Sequence, residues 1–212
     1  VAGTGESTSG PAGLPALSSG LSSPRGLWYD DVGGILYVAE YSGSKVKYID
    51  SSGIVFLGMG GGNSHVDGDT AYNHDCNNPV DLAEYNNNLY ITCYSHHRVK
   101  RWDLATGLGY VVAGDGGNDV AGEDANPTTS GMGQPYGLYV DAYVFYASSF
   151  SSHLFLFINP LGCPLSFLFG HPDHFSLPFF ILFSIFFFVF TLTSPPSSHP
   201  LLPPTPPPLP LP

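Results

Sequence analysis

One block of sequence is written three times in this chain, and its period limits the fold more than any single residue does. Each copy opens on a glycine turn: Ala2-Gly3-Thr4-Gly5, Leu57-Gly58-Met59-Gly60 and Ala113-Gly114-Asp115-Gly116. An alanine follows (Ala16, Ala71, Ala125), then a proline (Pro24, Pro79, Pro135). A tyrosine-centred run comes next, as Leu36-Tyr37-Val38, Leu89-Tyr90-Ile91 and, less well kept, Phe145-Tyr146-Ala147. Matching landmarks lie about 53 to 56 residues apart, a period that belongs to solenoids, propellers and arrays.

Within a block, short apolar runs alternate with clusters of Gly, Asn, Asp and Ser, the pattern of strands joined by tight turns. The first block predicts strands over 26–30, 35–40, 45–50 and 54–57, and the second over 80–85, 89–93, 98–103 and 110–113. Lys45-Val46-Lys47-Tyr48-Ile49-Asp50 alternates polar with apolar, which suits a strand with one wet face. Asn and Gly recur at the turns because they tolerate positive φ at least cost. Helical periodicity is missing, so four short antiparallel strands per block point to all-β propeller blades rather than a helical solenoid.

The order A-G-x-G, G-x-x-A, P-x-G-L, L-Y-V-A-E and K-V-K-Y-I-D resembles the NHL repeat, which builds β-propellers. The resemblance runs through residues 1–142 and thins out over 143–158. Block two departs from it at Val80-Asp81-Leu82, where P-x-G-L is preferred, and at Cys93, where a small residue is usual. About two and a half blades cannot close a ring, which takes roughly four to eight. The expectation is therefore a partial propeller over 1–158, a piece of a longer one, with Val1-Ala2-Gly3 as the end of a preceding strand. Its open blade edges and faces invite self-association.

The third block loses the pattern at Leu154-Phe155-Leu156-Phe157-Ile158, which stands where Arg98-Val99-Lys100-Arg101-Trp102 stands in block two. Residues 159–212 are then a low-complexity Phe/Leu/Ser/Pro tail, with an apolar run over 179–192 and a proline-rich stretch over 195–212. Three readings fit it. It is a membrane segment with a polyproline II end, a disordered ligand for proline-binding grooves, or translated pyrimidine-rich noncoding sequence, since Phe, Leu, Ser and Pro codons are rich in T and C. An extracellular or membrane-anchored location follows only if the tail is genuine.

With six Lys and Arg against 17 Asp and Glu, the formal charge of -11 speaks against nucleic acid as a partner. Cys76, Cys93 and Cys163 form no C-x-x-C spacing, so no zinc ribbon is indicated. Free thiols packed as small hydrophobes are the favoured expectation, with a Cys76–Cys93 disulfide as the alternative in an oxidising compartment.

In an up-and-down blade, the turn between strands two and three shares an end with the connection to the next blade. That brings turns 42–44 and 94–97 to one face with loops 60–78 and 116–134, both long enough to carry binding. The first loop and its neighbouring turn hold His65, Asp67, Asp69, His74, Asp75, His96 and His97. The second holds Asp115, Asp119, Glu123 and Asp124. Imidazole and carboxylate are metal-ligand chemistry, which leaves a divalent cation open, but no spacing matches a metal motif and Asp67-Gly68-Asp69 is also a turn sequence. Adjacent His96 and His97 are expected to point apart. Trp28, Tyr37, Tyr48, Tyr90 and Trp102, at repeat positions, are expected to pack between blades.

Nucleophile-elbow, P-loop and H-E-x-x-H sequences are absent. The leading expectation is a non-enzymatic binding scaffold that presents its loops to a protein or glycan partner, with no cofactor. The alternative drawn from the resemblance is a fragment of a metal-dependent propeller enzyme of lactonase or lyase type.

Overall fold

The computed structural model describes residues 1–118, 127–141, 145–149, 154–158 and 168–169, all within one compact unit, 1–173. The 159–212 tail lies almost wholly outside them, as do Asp119, Glu123, Asp124 and Cys163.

Three antiparallel sheets follow one another along the chain. The first is β1 (Pro24–Asp30), β2 (Ile35–Glu40), β3 (Lys45–Ile49) and β4 (Val55–Met59), in sequence order. The second has five strands, a two-residue β5 (Asp69–Thr70) at the outer edge beside β9 (Leu108–Ala113), followed across the sheet by β8 (Arg98–Asp103), β7 (Asn88–Cys93) and β6 (Pro79–Tyr85). The third is β10 (Pro135–Val140), β11 (Phe145–Ser149), β12 (Leu154–Ile158) and β13 (Leu168–Phe169). The eight strands expected in the first two blocks are all present, with ends moved by a few residues. Among the described residues the only helical pieces are three-residue 3-10 turns, and none is long or apolar enough to cross a membrane.

The turns are where the sequence put them, because residues that accept positive φ occupy them: Gly34, Gly53, Asn86, Asn87 and Gly107. The glycine turn after each fourth strand registers differently from the sequence alignment. Val46 pairs with Met59 and Val99 with Ala113, so Gly60, not Gly58, is the counterpart of Gly114. Gly60 has φ 98° and Gly114 φ 86°, and a Cβ on either would overlap the carbonyl of Ser44 or His97 across the blade. Gly58 serves another end: a side chain there would collide with the Trp102 ring.

Strands β1, β6 and β10 lie side by side at the inner edges of the sheets. A Cβ on buried Gly26 would come within 2.6 Å of the Val80 carbonyl, so β1 approaches β6 backbone to backbone. On β6 the departure at Asp81 has a use. Its Oδ1 accepts from Leu82 N and its Oδ2 from Leu138 N at 2.9 Å, which ties blade two to β10 of blade three.

Between blades one and two, Tyr37, Ala39, Val46 and Met59 meet Leu82, Leu89, Ile91 and Cys93 in one apolar cluster. Trp28, Tyr48 and Trp102 pack against it, and Tyr37 meets Trp102 edge-on at 5.9 Å. One repeat further on, Val99 and Ala113 meet Met132 and Ala147, with Tyr90 beside them. The aromatic residues therefore do pack between blades. On the other side of blade one the face is open: Leu27 is 60% exposed where its counterpart Leu82 is 3%.

Two sequence expectations fail. Cys76 and Cys93 are not free thiols but a disulfide, with Cα atoms 5.0 Å apart. Spacing could not reveal this, because loop 60–78 has to fold back over β7 before the two meet. The wet face expected of the third strand is also absent. Lys47 and Lys100, one period apart, are 2% and 0% exposed. Each is covered by the connection that precedes its blade, through hydrogen bonds from Lys47 to Gly10 and Gly20 and from Lys100 to Ser64 and Asp75. The same connections close the outer sheet edges. Pro15 bridges Ile54 in blade one, and β5 pairs with β9 in blade two.

Candidate functional site

The two buried lysines differ in what neutralises them. Lys47 Nζ donates to the Gly10 and Gly20 carbonyls at 2.8 and 3.2 Å and pairs with Glu40 Oε1 at 3.1 Å. Glu40 is itself fully buried and accepts from Ser9 Oγ at 2.6 Å and Ser22 N at 3.0 Å. This buried pair has its remaining lone pairs satisfied, the condition under which burial of two charges is tolerated.

In blade two the position of Glu40 belongs to Cys93: Glu40 pairs with Lys45 across β2–β3 and Cys93 with Arg98 across β7–β8. The disulfide has taken the carboxylate's place. Lys100 Nζ instead donates to Ser64 O at 3.1 Å, to Asp75 O, to His65 Nδ1 at 3.0 Å and to His74 Nδ1 at 3.3 Å. Two carbonyls and two imidazole nitrogens thus cage an ammonium that lacks the carboxylate of its counterpart in blade one. An ammonium carries three N–H donors and cannot accept, so the four acceptors share them, and an imidazole nitrogen facing it accepts and leaves its ring's proton on Nε2.

Electrostatics follow from that cage. Burial lowers the Lys100 pKa to about 8; Arg98 pushes the same way, while Asp75 and Asp67 oppose it. Burial, then Lys100, Arg98 and His96, lower His65 to about 4, with Asp75 opposing. Burial and Lys100 also lower His74, against Val66, Asp69 and Asp67. A unit positive charge on His74, 3.3 Å from Lys100, would be opposed by about 5 kcal/mol at an effective dielectric of about 20. The imidazoles are therefore neutral at neutral pH.

His96 joins from turn 94–96. Its Nε2 lies 3.4 Å from Asp75 Oδ2, its Nδ1 accepts from Asn77 N at 3.1 Å, and its ring meets His65 edge-on at 5.1 Å. Burial lowers its pKa, opposed by Asp75 and assisted by Lys100 and Arg98. One ligand-type atom from each of His65, Asp75 and His96 lies within 4.8 Å of the others. The surroundings differ from those of a usual ligating histidine. A ligating histidine donates its second ring N–H to an acceptor. Here the second nitrogens face donors, the Lys100 ammonium and the Asn77 N–H, and a tethered cation already fills the cage.

The remaining expected residues divide. Asp67 Oδ1 accepts from Val111 N at 2.6 Å, fastening the loop to β9. Asp69 is a turn residue, accepting from Thr70 N at 2.7 Å and Asn73 Nδ2 at 3.2 Å. His97, with φ 49°, turns away from His96 as expected, and its Nδ1 lies 2.9 Å from Gly133 O on the approach to blade three. The structure therefore brings His65, His74, Asp75 and His96 together and leaves Asp69 and His97 outside. Sequence reasoning missed Lys100, although its recurrence one period after Lys47, with Glu40 exchanged for Cys93, was a readable signal.

Beside the cage a cleft of about 480 Å³ opens, lined by His65, Asp67, Arg98, Val111, Asp115 and Thr129, among others. Arg98 Nη2 donates to the Asp115 carbonyl, tying the second loop to the start of β8.

No family model matches the sequence, and no curated protein does. Solved structures are similar in fold. One is a structural genomics protein of unknown function from Bacteroides thetaiotaomicron, at 20% identity and TM-score 0.52, over 64% of this chain and 35% of that one. Another is an auxiliary nutrient binding protein from the same organism, at 17% identity and TM-score 0.51, over 73% and 37%. A chain of a nidogen/laminin complex gives 15% identity and TM-score 0.49, over 73% and 50%. This chain thus spans about a third to a half of the lengths of the structures it resembles, and its fold is that of β-propeller blades.

Proposed function

We propose that residues 1–158 are part of an NHL-type propeller that acts as a binding scaffold, with the loop face of blade two as the surface that takes a protein or glycan partner. The observation that carries this is the cleft between loop 60–78 and residues 114–115 and 128–129, whose volume lies in the range of ligand pockets. Of the two partners the cleft favours a glycan. Asp67 and Asp115 offer carboxylate acceptors, Arg98 and the His65 Nε2–H offer donors, and Val111 gives an apolar patch, an inventory that matches sugar hydroxyls on a polar ring. The walls are held in advance by the Lys100 cage, the Asp67–Val111 bond and the Cys76–Cys93 disulfide, so little ordering is left to binding. The disulfide also supports an oxidising compartment.

The likeness to the nutrient binding protein is one of fold and does not carry its ligand across. A metal-dependent enzyme has less support, since the Nδ1 atoms behind the Nε2 atoms that would ligate face donors rather than the acceptors a ligating histidine uses. The test is a panel of neutral oligosaccharides screened by calorimetry against the full chain. A bound sugar should lose affinity about tenfold or more in Asp67→Ala and in Arg98→Ala. A sugar bound equally well by both variants, or no sugar bound at all, would refute a glycan site in the cleft.

A further inference from the structure

We propose that the Lys100 cage is an acid-released latch: protonation of the imidazoles that accept from Lys100 loosens residues 61–66 of loop 60–78 and so opens the His65 side of the cleft. As a control on ligand binding this rests on the function proposed above, but the latch itself is a property of the chain and can be read without a ligand.

The geometry carries the inference. Residues 67–71 of the loop are pinned to β9 by strand pairing and by Asp67, and Cys76 to β7 by the disulfide, whereas 61–66 are held to β8 through one atom, Lys100 Nζ, whose three N–H groups are shared among Ser64, His65, His74 and Asp75. Two of those four acceptors are imidazole Nδ1 lone pairs. A proton placed on either lone pair removes a hydrogen bond and sets a second positive charge beside the ammonium. Blade one is the internal control. There Lys47 holds the matching connection with a carboxylate and two carbonyls, so imidazole protonation has nothing to act on.

The charges around the latch add to the same tendency. Lys100 faces Asp75 and Asp67 from the loop and Arg98 from its own strand. His65 faces Lys100 and Arg98 from β8, His96 from the turn after β7, and Asp75 from the loop. His74 faces Lys100 from β8, with Asp67 and Asp69 on the loop and uncharged Gly109 of β9 against its ring. His96 faces Asp75, Lys100 and Arg98. Three imidazoles, an ammonium and a guanidinium therefore share three carboxylates, of which Asp69 and Asp67 are committed to backbone donors of Thr70 and Val111. As pH falls, each imidazole that charges adds repulsion, and no unengaged carboxylate among these is added in return. For His74 the Val66 backbone, Asp69 and Asp67 favour the charged ring, but burial and Lys100 outweigh them.

The latch is sprung in the window between an ordinary histidine value of 6.5 and the value of about 4 to which His65 is lowered. Neutral imidazole is the folded form, so the closed loop is fully favoured above that window and is lost as pH falls through it.

Amide hydrogen exchange on the full chain, expressed as protection relative to intrinsic rates, reads the latch directly. Between about pH 7.5 and about pH 4.5, protection across 61–66 should fall about tenfold or more, while 69–71, 7–22 and strands β2, β3 and β7 keep theirs. In the double variant His65→Asn, His74→Asn, an amide oxygen that does not titrate replaces each Nδ1 acceptor, and protection of the loop should stay within about threefold over the same range. Should the double variant fail to fold, His65→Asn alone serves. The wild-type loop should open with a dependence steeper than one proton, and the single variant should be shallower. Unchanged wild-type protection overturns the proposal. So does a loss that the variants share in full, or one that runs through blade two's strands together with the loop. A cleft that binds no sugar leaves all of these outcomes as they are.

Discussion

Replacing Lys100 by Met should change how stability depends on pH, whatever it does to stability at any single pH. At neutral pH the folded chain holds an ammonium whose pKa is lowered from 10.5 to about 8. At about 1.4 kcal/mol per unit, its charged form costs the fold about 3 kcal/mol relative to the unfolded chain. Lys100→Met keeps most of the aliphatic stem and removes that cost, but it strips Asp75 O and His74 Nδ1 of their donor, at about 1 to 3 kcal/mol each, and part-exposed His65 Nδ1 too, at less because water reaches it. Ser64 O still accepts from Asp75 N at 3.0 Å. These terms nearly balance at pH 7, so the net effect there discriminates little.

The pH dependence does discriminate. A lysine lowered in the fold binds fewer protons folded than unfolded between pH 8 and 10.5, so stability rises with pH across that window. For these two values the wild-type gain from Lys100 is about 2 kcal/mol between about pH 7 and about pH 9.5, and the Met variant lacks it. Higher pH is avoided because Tyr37, raised to about 12 by burial and Asp30, brings in a term of opposite sign above pH 10. Urea unfolding followed by tryptophan fluorescence, extrapolated at three pH values for both chains, measures the difference. Wild type and variant with the same slope, within about 0.5 kcal/mol, would refute a charged, unneutralised Lys100.

The matching substitution in blade one should behave differently: Lys47→Met abandons fully buried Glu40 and should cost about 3 to 5 kcal/mol in the same urea assay, and a cost under about 1 kcal/mol would show that water reaches the carboxylate. Reducing the Cys76–Cys93 disulfide, or replacing both cysteines by Ala, should remove about 3 kcal/mol for a 17-residue separation, and an unfolding midpoint unmoved by reductant would show that the bond is absent. Gly114→Ala should destabilise by more than about 2 kcal/mol, because its φ is 86° and the new methyl overlaps the His97 carbonyl, whereas Gly107→Ala, also at positive φ but with open space around it, should cost less; equal losses would mean that φ alone sets the cost.

Much of this molecule is legible from local pattern. The period, the strand order, the turn residues and the inter-blade aromatics follow from rules that act over a few residues, namely alternation at period two, positive φ at Gly and Asn, and recurrence. The loop face was legible too, because an up-and-down blade leaves no choice about which turns share an end. Even so, the aligned glycines slipped by two residues, since Gly58 and Gly60 look alike until strand pairing shows which one lies against the Ser44 carbonyl.

What escaped the sequence is what the alternating faces meet. Lys45-Val46-Lys47 predicts one dry and one wet face, yet Lys47 and Lys100 are buried by segments 25 to 37 residues away along the chain. Period two determines which side chains share a face. It carries no information on whether water or a returning loop covers that face, because coverage is decided by contacts between distant segments. For the same reason the histidines and aspartates of loop 60–78 read as one ligand set, and only tertiary contact sorted them into cage, turn and neighbouring blade. The sequence by itself determined a repeated all-β blade and the end at which its loops gather. The tertiary structure alone decided that a disulfide replaces a buried carboxylate in the second blade, leaving an ammonium held by imidazoles that acid can take away.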